Sequence, residues 1–206
     1  ICANNVFAHV PDINDFVKAL KLVLAKNGVV TIEFPHLLNL IKNTLFDTIY
    51  HEHFSYLSLT TTHKIVSKFG LKIFDVRQIK THGGSLRVFL CHKNSKTKVN
   101  KRVKSFLYKE KKFGLFKMST YSNFQRKVKN IQSNLVFFLD KMKKNKKSVV
   151  AYGAAAKGNT LLNSIGISKT QIKFVCDNAK SKQGKFMPGS LIPIVSTKRL
   201  LAVKPD

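Results

Sequence analysis

The spacing of apolar residues changes period several times along this chain, and each change marks an element. Residues 1–9 read as the end of a strand followed by a polar turn at Asn4-Asn5. Residues 12–26 carry Ile13, Phe16, Val17, Leu20 and Leu24 at three- and four-residue intervals, a helical stripe opened by the capping-type Asp12. Asn27-Gly28 is its expected left-handed exit. Residues 29–34 are nearly all apolar, which predicts a strand buried on both faces of a parallel sheet. Glu33 interrupts that run near its C-terminal end, where open α/β sheets bind their ligands. Residues 36–58 show no clean period. Residues 59–69 predict a second helix, with Thr60, Thr61 and Thr62 as candidate caps and Gly70 as its stop. Strands at 71–79 and 86–91, joined through His82-Gly83-Gly84-Ser85, predict an antiparallel hairpin at a sheet edge.

From residue 93 to 147 the pattern is helical and basic, with Val103, Phe106, Leu107, Val128, Ile131, Leu135 and Phe138 at helical spacings. This reads as a connector of one or two helices packed across two α/β units. A second unit then opens: a strand at 148–152, a small-residue turn into a helix at 153–160, and a strand at 173–177 ending in Asp177. Only Gly153 and Gly158 are glycines in that turn, so the dinucleotide fingerprint is not met. A phosphate cradle at a helix N-terminus and an ordinary tight turn both remain open. The fold class is α/β: the second half of a doubly wound sheet at 1–93, a basic helical connector at 94–147, and a Rossmann-like unit at 148–206. With Ile at position 1 and no closing element after Lys204-Pro205-Asp206, the chain reads as part of a longer protein.

Charge modifies this picture less than its size suggests. The formal net charge is +27, yet only five of the 37 basic residues are Arg. Residues 93–147 hold 18 basic and two acidic residues. Such a footprint can serve a polyanion, but Arg is the better fork for phosphate and base edges. No nucleic-acid motif is present, so a solvated lysine face is favoured and no nucleic-acid partner is expected. The sequence has no signal peptide and no apolar run of membrane-spanning length, so no membrane partner is expected either. Three widely spaced cysteines fit a reducing cytoplasm and argue against a zinc site.

The chemistry concentrates in Tyr50-His51-Glu52-His53. All seven histidines lie within the first 92 residues. Two His and a Glu could ligate a metal, but adjacent residues in an irregular segment point to different sides and no helical His-x-x-x-His spacing exists, so no metal is assigned. A polar loop with packed aromatics is a second reading. Acid–base catalysis is a third: imidazole titrates near neutrality, a carboxylate orients it, and Tyr donates to a developing oxyanion.

Ordered motifs then identify a likeness. Ala3-Asn4-Asn5-Val6-Phe7-Ala8-His9, Glu33-Phe34-Pro35, Tyr50-His51-Glu52-His53-Phe54 and His82-Gly83-Gly84-Ser85-Leu86-Arg87 cover the first half. Tyr152-Gly153-Ala154-Ala155-Ala156-Lys157-Gly158-Asn159, Asp177-Asn178, Lys182-Gln183-Gly184-Lys185 and Pro188-Gly189 follow. Together they resemble the C-methyltransferases of nucleotide-linked keto-deoxysugars. The resemblance implies a class I S-adenosylmethionine (SAM) domain, of which this chain holds the second half, followed by most of a C-terminal Rossmann-like domain. It implies SAM as methyl donor, with the main Gly-rich binding loop outside this sequence, and zinc only in an N-terminal domain not contained here. His53 is then the base, Tyr50 and His9 polarise the sugar oxygen, and Glu52 orients a neighbour or contacts the sugar. Asn5 lies near methyl transfer with Glu33 supporting it. His82 and Arg87 are candidate substrate residues, although their turn could equally be a plain hairpin. Lys157 and Asn159 contact the nucleotide diphosphate, and Asp177 is a ribose candidate. Other readings are O- or N-methylation of a related sugar, a non-catalytic nucleotide-sugar-binding module, or a polyanion binder.

Overall fold

A computed structural model describes the backbone of residues 1–206 and every side chain except that of His82. The chain divides into two compact units, residues 1–46 with 51–124 and residues 47–50 with 125–206. No described helix is long and apolar enough to cross a membrane.

The first unit is built on a four-stranded sheet in the order β1 (Cys2–Asn4), β2 (Val30–Pro35), β4 (Ser85–His92), β3 (Leu71–Ile79). The 30–34 part of the apolar run is the buried centre, with Val30, Ile32 and Phe34 at 0% exposure, whereas Val29 precedes β2 and is 41% exposed. The sheet around it is mixed rather than parallel: β2 pairs parallel with β1 but antiparallel with β4. A two-sided burial signal reports a central strand and is blind to the direction of its neighbours. The predicted hairpin forms between β3 and β4, with β3 at the edge. Its link is a 3₁₀ turn, Thr81–Gly83, followed by Gly84 at φ 114°.

Helix α1 (Ile13–Val23) is capped by Asp12, whose carboxylate accepts from the backbone of Asn14 and Asp15. It stops before Asn27-Gly28, at an extended Leu24, and Gly28 is not left-handed. A Cβ on Gly28 would sit 2.7 Å from Leu24 Cδ1 and 3.0 Å from Ala25 O, so close packing rather than φ favours glycine there. A short α2 (Leu37–Lys42) follows β2, and α3 (Leu59–Lys68) precedes β3. The cap of α3 is Ser58, accepting from Thr61, not one of the three threonines, which lie inside the helix. Gly70, at φ 74°, ends it as expected.

The basic segment forms α4 (Lys101–Phe113) and α5 (Met118–Lys144), separated by left-handed Gly114. Val103 of α4 joins the core of the first unit, where Phe7, Val17, Leu59, Leu86 and Leu90 are buried. Each fully buried side chain of this kind contributes about 1.5–3 kcal/mol. Arg102 grips Asp75 of β3 with both Nε (2.9 Å) and Nη2 (2.6 Å).

The second unit has the predicted βαβ, with shorter strands: β5 (Ala151–Tyr152), α6 (Ala156–Ser164) and β6 (Val175–Cys176). A third strand, β7 (Ile194–Val195), and α7 (Thr197–Val203) extend it, in a wholly parallel order β5-β6-β7. Leu139 of α5, Leu162, Val175, Met187 and Ile192 form its core.

Candidate active site

Register decides which residues share one edge of the first sheet. The C-terminal ends of β1, β2 and β3 and the start of β4 fall together there. At that edge β1 gives way to Asn5, whose backbone is left-handed (φ 54°) and whose N–H donates to the Glu33 carbonyl at 3.0 Å. The chain then turns, and His9 N–H donates to Val6 O at 2.9 Å. Buried Phe7 and Ala8 anchor this turn in the core.

The irregular cluster docks on the same turn. The amides of Phe54 and Ser55 both donate to Ala8 O, at 2.9 and 3.2 Å. His9 Nδ1 lies 2.8 Å from the Glu52 carbonyl oxygen. A carbonyl can only accept, so Nδ1 carries the proton and Nε2 is left as the ring's second functional nitrogen. The His9 and His53 rings face each other, with centroids 4.7 Å apart and tilted by 43°. Tyr56 closes edge-on against His53 at 5.9 Å. His9 and His53 are both half-buried, whereas His51 and the side chain of Glu52 are exposed. The predicted cluster therefore brings together His9 and His53. Glu52 meets His9 through its main chain, and Tyr50, half-buried, belongs with the second unit.

Glu33 is buried, at 4% exposure, and is fully engaged. Its Oε2 accepts from Arg87 Nη2 (2.8 Å) and Nε (3.3 Å), and its Oε1 from the Thr81 hydroxyl (3.0 Å). One residue thus holds Asn5 by its carbonyl and Arg87 by its carboxylate. The Gly83-Gly84 turn packs against helix α2: Asn39 donates to Gly84 O at 3.2 Å, and a Cβ on Gly84 would overlap the Asn39 amide. The His82 side chain lies outside the described residues.

Behind the cluster lies a buried carboxylate that the apolar pattern did not single out. Glu110 of α4 is 0% exposed. It accepts from His36 Nε2 (2.7 Å), Leu59 N–H (2.6 Å), Thr60 N–H (2.9 Å) and the Thr60 hydroxyl (2.6 Å). Burial alone would raise its pKa, but hydrogen bonds from His36, Thr60 and Leu59 outweigh that and hold it below the ordinary value. The signal was present: Val103, Phe106, Leu107 and Glu110 occupy one helical stripe, so this acid stands where an apolar residue is due.

In the second unit Asp177 holds the turn after β5. Its carboxylate accepts from Ala179 N–H (2.8 Å) and Ala154 N–H (2.7 Å), and Lys182 Nζ approaches to 3.4 Å. The two backbone bonds, Ala179 first, push its pKa down, with Lys182 adding to them. Lys182 also donates to Ala154 O at 2.7 Å. Lys157 and Asn159 lie in the first turn and a half of α6, whose Ala155 cap offers no side-chain hydrogen bond. The Asn159 Oδ1 is buried without a hydrogen-bond partner. Among the described residues no group of three or more His, Cys, Asp or Glu is gathered as a metal would require.

Comparison with known proteins bears on both units. The sequence model of the family described as C-methyltransferase C-terminal domain matches residues 80–206. Over 200 residues the chain is 36% identical to the C-methyltransferase NovU of Streptomyces niveus, an alignment covering 97% of this chain and 48% of that protein. The chain thus spans about half the length of the curated relative it matches. With a family match over more than half its residues and a likeness running nearly end to end, this chain belongs to the C-methyltransferase family.

Proposed function

We propose that the protein containing this chain methylates the carbon beside the ketone of a nucleotide-linked 4-keto-deoxysugar, with SAM as donor. The observation that carries the reading is the His9–His53 pair at the C-terminal edge of the first sheet. A carbon next to a ketone becomes nucleophilic only after it loses a proton, and imidazole is suited to take one near neutral pH. His53 removes that proton, leaving an enolate. His9, its Nδ1–H committed to the Glu52 carbonyl, meets the sugar through Nε2: neutral, it accepts from a hydroxyl; protonated, it donates to the enolate oxygen. Tyr50 is a further donor to that oxygen. Asn5 lines the methyl-transfer side, and Glu33 holds Asn5 and Arg87 in place.

SAM, when bound, supplies an electrophilic methyl on a sulfonium. The glycines of the first unit stand at positions 28, 70, 83, 84 and 114, at helix ends and in the hairpin, and none follows β1. These residues do not by themselves fit as a cradle for SAM. In the second unit Lys157 and Asn159 contact the nucleotide diphosphate, and Asp177 acts on the nucleotide through the turn it shapes.

The test is exchange of the keto sugar's carbon-bound proton with deuterated solvent, without SAM, in the full-length protein. Carbon methylation through an enolate predicts wash-in, whereas O- or N-methylation and simple binding do not. His53→Ala is expected to abolish wash-in while leaving SAM binding intact. Wash-in that survives in His53→Ala but is lost in His9→Ala would move the base to His9.

A further inference from the structure

The segment carrying His53 is held at both ends. At residues 52–55 the ties are the bonds to His9 and Ala8. At the other end the main chains of His36 and Leu57 form a parallel bridge, and Leu37 N–H donates to Leu57 O at 2.9 Å. His36 N–H also donates to Gly84 O at 3.1 Å, so this point joins the exit of β2, the hairpin turn and the start of α3. Glu110 reaches it from α4 and accepts at once from the His36 ring and from the first two amides of α3. It caps a helix on which it does not lie, while Ser58 caps the same helix from within.

We propose that Glu110 and His36 are positioning residues that set where the 52–57 segment leaves the sheet edge, and so where His53 stands against His9. The inference rests on the reading of His9 and His53 as the reactive pair. All four of Glu110's partners are donors, and only a carboxylate can accept all of them. Glutamine offers one carbonyl oxygen and an NH2 group, which sets N–H against N–H on one side. A residue serving stability alone would loosen the whole unit when changed. A positioning residue loosens the segment it holds and alters the rings that segment carries.

Amide hydrogen exchange and imidazole NMR on the full-length protein separate the two. In Glu110→Gln the Leu59 and Thr60 amides are expected to exchange about tenfold faster, the equivalent of one net hydrogen bond. The Phe54 and Ser55 amides should follow, and the His9 and His53 ring signals should shift, while Ile32 and Val88 in the sheet accelerate much less, by no more than the change in global stability allows. Uniform acceleration across β2 and β4 overturns the proposal. So does acceleration confined to Leu59 and Thr60 with both rings unmoved. Thr60→Ala, which removes only one hydroxyl, should give the same pattern more weakly and serves if Glu110→Gln does not fold. In the full-length protein, Glu110→Gln should slow deuterium wash-in with little change in substrate KM. Absence of wash-in in the wild type would reject the proposed reaction, and the exchange pattern would still decide the positioning role.

Discussion

With Nδ1 of His9 donating to a main-chain carbonyl, the orientation of that ring does not depend on the side chain at position 52. The Glu52 side chain is exposed, and its contribution is made through the backbone. Glu52→Ala is therefore expected to keep the His9 Nδ1–H resonance and, in the full-length protein, wash-in within a few-fold of wild type; loss of the resonance would show that the carboxylate orients His9. Glu110 is the opposite case, since everything it does is done by its carboxylate. Removing one partner of a buried, hydrogen-bonded pair costs about 3 kcal/mol or more, so Glu110→Ala should lower the urea midpoint sharply at neutral pH. The pH dependence follows from the lowered pKa. The folded value lies below the ordinary 4.5, so the stabilisation is present above that value and is lost as pH falls through the folded one. Urea unfolding from neutral pH into acid should show the wild type losing stability below pH 4.5 more steeply than Glu110→Gln.

At the scale of elements, the hairpin turn and the ends of helices carry the strictest local demands. Gly84 combines φ 114° with an Asn39 side chain pressed where a Cβ would stand. Gly70 has φ 74° and open space around it. Gly70→Ala should cost about 1 kcal/mol, from backbone strain alone. Gly84→Ala should cost more, about 2–3 kcal/mol, because strain and overlap add. Chemical denaturation of the two variants tests the ranking, and equal losses would mean that Asn39 yields freely. Helix α4 shows why a charged stripe can still dock. Its apolar positions face the core, Arg102 clamps Asp75, and the hydrogen bond from Arg102 pulls the Asp75 pKa down. The outward lysines at 101, 104, 109, 111 and 112 remain exposed.

For the molecule as a whole, the charge of +27 is displayed in large part on exposed lysines such as those of α4. Contact with nucleic acid should then be loose and sequence-independent, collapsing between about 50 and 200 mM salt. Retained binding of one duplex over others at the upper end of that range would contradict this. The division into two units also operates at this scale: a mixed sheet that sets the histidine pair, and a parallel βαβ unit whose turn is shaped by Asp177.

The order of elements, the α/β class, the strand at the sheet centre, the hairpin and the second βαβ unit could all be read from the chain. Each depends on local periodicity or on a residue with a strong backbone preference, as at Asp12 or Gly70. The motifs likewise led to the family. Other features are set by distant partners. The direction of β4 beside β2, and the cap of α3 by Glu110 from 50 residues away, leave no local trace beyond one acid on an apolar stripe. The same holds at the candidate site. The sequence places His53 beside Glu52 and leaves His9 more than 40 residues distant, and it favours a carboxylate as the orienting group. Folding adds what chain order hides: His9 comes to 4.7 Å from His53, and a backbone carbonyl, which every residue carries and no pattern of side chains can reveal, fixes the His9 tautomer.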